Sequence, residues 1–167
     1  MKNVFLVFVV IGFYFLLKKI AMTPSILAID KPNSDTNNVG NIRHVNHVRW
    51  KGQTGYNKSG FVVFDTSQNA FRAMFILLTS YVKRGVNSLS RIINVYAPPN
   101  ENDTDKYIDY VEARTGISRN LILTESYLNS ENGKNFKKIV EAMSRRERGV
   151  AYSSDVIETG YSLFLKK

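Results

Sequence analysis

The sequence predicts a mainly helical α+β domain with one small β element, preceded by an N-terminal transmembrane helix. Three observations lead there. Apolar residues recur at helical spacing between capping residues over most of residues 65–165. Two short β-prone runs, Asn41–His44 and Gly60–Asp65, flank a loop holding Gly52, Gly55 and Gly60. Val4 to Leu17 is an unbroken run of fourteen apolar residues.

The elements follow in chain order. Val4–Leu17 is short for a membrane span, which needs about 20 apolar residues. Ile20, Ala21 and Met22 bring it near that length if Lys18 and Lys19 reach toward headgroups. Residues 1–22 are therefore expected to anchor the chain in a membrane. A cleavable signal peptide and a buried core helix are the competing readings. The Lys pair directly after the run and the poor cleavage site around Ala21 favour the anchor. Residues 23–36 read as a linker with Pro24 and Pro32, and residues 37–167 as the folded domain.

Within that domain, Phe61-Val62-Val63-Phe64 is the strongest strand signal, and a hairpin-like partner is expected in Asn41–His44. Asp65-Thr66-Ser67 can cap a helix running to Lys83, with Ala70, Phe71, Met74, Leu77, Leu78 and Tyr81 inward. Ser88 caps a second helix, which Pro98 and Pro99 end. Asp103-Thr104-Asp105 opens a third, closed by Gly116. Ser118–Asn129 fits neither period. Asn135–Arg148 and a segment from Ser153 or Ser154 to Leu165 complete the helices.

Composition narrows the chemistry. There is no cysteine, which removes disulfides, thiol catalysis and Cys-based zinc sites. His44 and His47 are the sole histidines, and both are expected to be solvated, so neither a metal centre nor any cofactor is expected. The formal charge is +9, and removing Lys2, Lys18 and Lys19 of the apolar segment leaves +6. A basic balance suits anionic partners. Nucleic acid is an unlikely partner on this evidence, since no Gly-rich phosphate loop accompanies the charge.

Five stretches together resemble a known family. They are Asn37-Asn38-Val39-Gly40-Asn41-Ile42-Arg43; Trp50-Lys51-Gly52; Phe61–Asp65 followed by Phe71-Arg72-Ala73-Met74; Tyr96-Ala97-Pro98-Pro99-Asn100-Glu101-Asn102-Asp103-Thr104 with Tyr107 and Val111; and Ala142-Met143 with Glu147 and Gly149. In this order they are similar to a phage and prophage family of virion structural proteins with a lysozyme-like, peptidoglycan-degrading type of domain, over about residues 36–160. Two departures stand out. Val39 replaces a proline of the family pattern, and Arg146-Glu147-Arg148-Gly149 stands where the family tends to have His-Glu-Asn-Gly.

The resemblance implies a membrane-anchored muramidase-like or lytic-transglycosylase-like protein acting on peptidoglycan glycan strands during entry or lysis. Other virion proteins would be further partners. Glu147 is then the candidate general acid, at the end of a helix beside a β element, where desolvation can keep a carboxyl protonated. Glu101 is a weaker second carboxylate, since its loop more often caps the next helix. Asn41, Arg43 and Tyr96 are the expected sugar-binding residues, with Trp50 as either a stacking ring or core. In lysozyme-like glucosaminidases the glutamate precedes an Asn-rich strand like Asn38–Arg43, whereas here it follows, as in a circular permutation. A non-enzymatic virion structural membrane protein with an inactive lysozyme-like fold is the alternative. An open groove with a half-buried Glu147 distinguishes the enzyme from it.

Overall fold

The structure is a computed structural model and describes residues 28–29 and 35–166. The apolar segment 4–22 lies outside the described residues. Among the described residues no helix is long and apolar enough to cross a membrane.

Helices make up most of the described chain: α1 (Ser67–Lys83), α2 (Leu89–Tyr96), α3 (Thr104–Thr115), α4 (Glu125–Arg148) and α5 (Ser154–Leu165). Their starts follow from side chains that satisfy the free N–H groups of a first turn. Thr66 accepts from the Asn69 amide, Ser88 from Arg91, Asp103 from Lys106 and Thr124 from Tyr127. Ser153 occupies the same position before α5 without a side-chain bond. The buried face of α1 (Ala70, Phe71, Ala73, Met74, Phe75, Leu78) runs along the centre of the core. There Phe75 meets the Phe136, Tyr161 and Phe164 rings at 4.9, 5.2 and 5.7 Å. Leu77 and Tyr81, expected inward, are only half-buried because they line a surface groove instead. On the other side α2 packs on α3 and α3 on α4.

The sheet has the order β1 (Ala28–Ile29), β2 (Gln53–Asn57), β3 (Val62–Phe64). β1 runs parallel to β2, with Ala28 opposite Tyr56. β2 and β3 are antiparallel, with an irregularity between Gln53 and Gly55. This corrects one expectation. Gln53–Asn57, read as part of a Gly-rich loop, is the central strand, because it is paired on both edges. Asn41–His44 contributes a single antiparallel bridge, Arg43 to Phe61, rather than a strand. The reason is local. The buried Asn38 side chain takes the place of a neighbouring strand, accepting from the Ile42 N–H at 2.8 Å and donating to the Ile42 and Val62 carbonyls at 2.9 Å each.

A second difference concerns α4. The segment Glu125–Asn129, which carried no clear period, is helical, and the helix is interrupted where Glu131, Asn132 and Gly133 all take left-handed conformations (φ 47, 55 and 72°).

Candidate functional site

Glu147 sits in the last turn of α4, two residues before Gly149 ends the helix in a left-handed conformation (φ 68°). Its side chain is half-buried. The Asn41 amide comes to it across 106 residues of sequence, donating to the carboxylate Oε2 at 3.0 Å and to the Glu147 backbone carbonyl at 3.2 Å. A backbone carbonyl only accepts, so the orientation of that amide is fixed. Asn41 reaches this position because it is itself left-handed (φ 48°), a conformation asparagine tolerates better than most residues.

The Tyr107 hydroxyl of α3 donates to the Met143 carbonyl at 3.4 Å, near enough to Glu147 that each shifts the other's titration. Behind Asn41, Tyr96 of α2 donates to the Gly40 carbonyl. Gly40 is required by close approach: a Cβ there would fall 2.6 Å from both Met74 Sδ and the Tyr96 hydroxyl.

Electrostatics follow from this packing. Burial raises the Glu147 carboxyl above the ordinary carboxylate range, and it outweighs the opposing pull of Asn41, Tyr107, Arg146 and Arg148. Arg146 and Arg148 both pull the group toward its ionised form, but less than burial pushes it the other way: Arg146 is exposed and lies over the Tyr107 ring at 5.8 Å, and Arg148 reaches Asn41 Oδ1 at 3.5 Å. Burial first, and then the nearby Glu147 charge, push Tyr96 and Tyr107 well above the usual phenol range, so both hydroxyls stay protonated as donors.

Beside this cluster runs a groove of about 300 Å³ lined by Asn41, Ile42, Arg43, Trp50, Tyr81 and Tyr96, with Val45, Val48, Leu77 and Val95. That volume is at the low end for a ligand pocket. Amide, guanidinium and aromatic edges converge on it. Glu147 is not among its lining residues and touches it through Asn41. Two larger depressions, between α3 and α4 and between α4 and α5, are rimmed by lysines, arginines and the glutamates that pair with them.

The expected site residues therefore divide. Asn41, Arg43, Tyr96 and Trp50 share the groove, and Asn41 joins it to Glu147. Glu101 goes elsewhere: it is exposed and takes Arg43 at 3.0 Å. His44 stacks on Tyr56 with ring centroids 4.2 Å apart, and His47 is exposed. Sequence reasoning missed two contributors. Tyr107 looked like one more core residue of α3, and Asn38 like a turn former. The signal available for Asn38 was its place in the Asn37-Asn38-Val39-Gly40-Asn41 stretch that carries the family resemblance.

In comparisons with known proteins, no family model matches the chain. It is 33% identical over 117 residues to protein P5 of Pseudoalteromonas phage PM2, an alignment covering 68% of each chain.

Proposed function

The chain belongs to the family of phage protein P5, and from that premise we propose that it is a virion-associated, membrane-anchored protein with a lysozyme-like domain that cleaves peptidoglycan glycan strands. The observation that carries the reading is the Glu147 carboxyl: half-buried, raised by desolvation, and held by the neutral donor Asn41 beside an aromatic groove. Asn41 donates to Oε2, so a protonated Glu147 carries its hydrogen on Oε1. That acid protonates the glycosidic oxygen as the C–O bond breaks, and the bond's electron pair leaves with the departing sugar. Positive charge develops at the other sugar's anomeric carbon. Water then captures it to give hydrolysis, or the sugar's own 6-hydroxyl captures it to give an anhydro end. Arg43, Asn41 and the rings of Tyr96 and Trp50 would hold the N-acetylated sugars. Residues 4–22 would hold the domain at a virion membrane or the bacterial inner membrane, with other virion proteins as neighbours.

The test is a turbidity assay on purified peptidoglycan with the full chain and its Glu147→Gln variant. The amide keeps the shape and accepts from Asn41 but donates no comparable proton. General-acid catalysis contributes about 10²–10⁴-fold, and a loss of that size is expected.

One observation favours a second reading, a non-enzymatic virion structural protein. The two hydrogen bonds from Asn41 to the side chain and backbone of Glu147 also fasten the end of α4 to the loop at 37–43. An inactive wild type with an intact fold would establish that role instead.

A further inference from the structure

The contact between Asn41 and Glu147 depends on one peptide unit, the one joining Gly40 to Asn41, and that unit is tied at both ends. Its N–H donates to the Asn38 carbonyl at 3.2 Å, and its C=O accepts from the Tyr96 hydroxyl. The two bonds fix the plane of the peptide, and with it the left-handed conformation at Asn41 (φ 48°) that sends the amide toward α4. Each tie stands on a rigid base. Asn38 is fully buried and donates to the Ile42 and Val62 carbonyls. Tyr96 is the last residue of α2, whose Leu89, Ile92 and Ile93 are buried in the core. Just beyond it, the Thr104 hydroxyl holds the Ala97 carbonyl at 2.6 Å.

What remains free is the Asn41 side chain itself. Its Oδ1 lies 3.5 Å from an Arg148 guanidinium nitrogen, and its amide nitrogen donates to the Glu147 carbonyl and to Oε2. A chain of contacts therefore runs from α2 to the carboxylate through one loop residue. Tyr96 also lines the groove, so one side chain joins the groove wall to Glu147.

We infer that the Tyr96 hydroxyl is a positioning group for Glu147: by clamping the Gly40–Asn41 peptide it sets the grip of the Asn41 amide on Oε2, and so how firmly the carboxyl holds its proton. Use of that proton in glycosidic cleavage rests on the proposed function; the positioning does not.

The direction of the effect follows from charge. Asn41 donates to the ionised carboxylate and favours it, against the burial that favours the protonated form. Tyr96 stays neutral while a carboxyl titrates, because burial and the Glu147 charge hold its hydroxyl well above the usual phenol range. Removing that hydroxyl changes no charge and reaches Glu147 through geometry. The other groups that act on the carboxyl are Tyr107 of α3, also protonated, and Arg146 and Arg148 of α4. Tyr96→Phe leaves all three in place.

Tyr96→Phe deletes the hydroxyl and keeps the ring, while Asn41→Gly deletes the amide and accepts the left-handed backbone. The full chain in detergent micelles, isotope-labelled at the glutamate carboxyl carbons, is titrated by NMR, with Glu147→Gln identifying the Glu147 signal. The loss of a hydrogen bond to a charged group should raise the Glu147 midpoint by about one pH unit in Asn41→Gly and by about half a unit in Tyr96→Phe. In the Asn41→Gly background, Tyr96→Phe should add nothing, since the link it acts through is gone. On peptidoglycan, the alkaline limb of the Tyr96→Phe pH–rate profile should move up by the same interval as its midpoint. Gly40→Ala places a Cβ 2.6 Å from the Tyr96 hydroxyl and breaks the same tie by displacement. It should shift the midpoint in the same direction, and it decides the matter if Tyr96→Phe does not fold.

A Glu147 midpoint that neither substitution moves overturns the inference, whether or not the wild type cleaves wall. So does a Tyr96→Phe shift of equal size with and without the Asn41 amide, since the effect then bypasses Asn41. Midpoints that move as expected in a wild type and variants that cleave nothing remove the enzymatic reading instead, and leave Tyr96 positioning a carboxyl of a structural protein.

Discussion

A carboxylate whose loss of hydration outweighs the pull of its neighbours binds its proton more tightly than it does in the unfolded chain, and Glu147 is in that position. The sign of the linkage follows. Because the folded state raises the carboxyl, protonation of Glu147 favours folding. That contribution is fully present below the unfolded value, and is lost as pH rises through the folded value. Glutamine at 147 does not titrate. The stability of Glu147→Gln relative to wild type is therefore expected to increase between pH 4 and pH 7, as measured by thermal melts across that window. A gap that closes as pH rises would mean that Asn41, Tyr107 and the arginines hold the ionised form better than water does. At this scale the sequence showed Glu147 and its helix end but not what surrounds it. Tyr107 is indistinguishable by pattern from any inward aromatic of α3, and Glu147 lies 40 positions away from it. The Asn41 contact depends on a left-handed backbone that no spacing rule reports.

The packing of α1 on α5 illustrates how an element can depend on an absence. Gly160 lies inside α5, where glycine costs about 1 kcal/mol relative to alanine in helix propensity. Propensity alone predicts that Gly160→Ala stabilises the protein. The neighbours say otherwise: a Cβ at 160 would lie 2.5 Å from Phe71 Cβ and 3.0 Å from the Gln68 carbonyl, both fixed parts of α1. Overpacking of this kind costs typically 1–3 kcal/mol, and with the propensity gain set against it the substitution should destabilise by up to about 2 kcal/mol net. Urea unfolding measures it, and a stabilised variant would show that the two helices separate easily. The helices were legible because their boundaries are written locally, in Thr66, Ser88, Asp103 and Gly116. β2 was not. Gln53-Thr54-Gly55-Tyr56-Asn57 has little β propensity of its own, and it is a strand because β1 and β3 supply hydrogen bonds on its two edges. The break in α4 was signalled only by Asn132-Gly133, a pair that marks turns and sits inside an otherwise helical stretch.

For the molecule as a whole, the groove and Glu147 are assembled from five separate parts of the chain: the loop between β1 and β2, α1, α2, α3 and the end of α4. Each was recognisable as a segment, while their convergence required the fold. The N-terminal apolar run adds a second requirement to the proposed function: a wall-cleaving domain tethered at a membrane would work only on glycan within reach of that surface. Carbonate extraction of the expressed full chain should leave it with the membranes, uncleaved. Recovery in the soluble fraction would remove the anchor, and a shortened chain would replace it with a signal peptide.

The most direct test of the central claim looks for the product rather than for clearing. Purified peptidoglycan incubated with the full chain is analysed by mass spectrometry for new sugar ends. Cleavage through Glu147 predicts either new reducing ends or new anhydro ends with wild type, and at least about a hundredfold fewer with Glu147→Gln. No new ends with folded wild type, or equal numbers from both proteins, would contradict it.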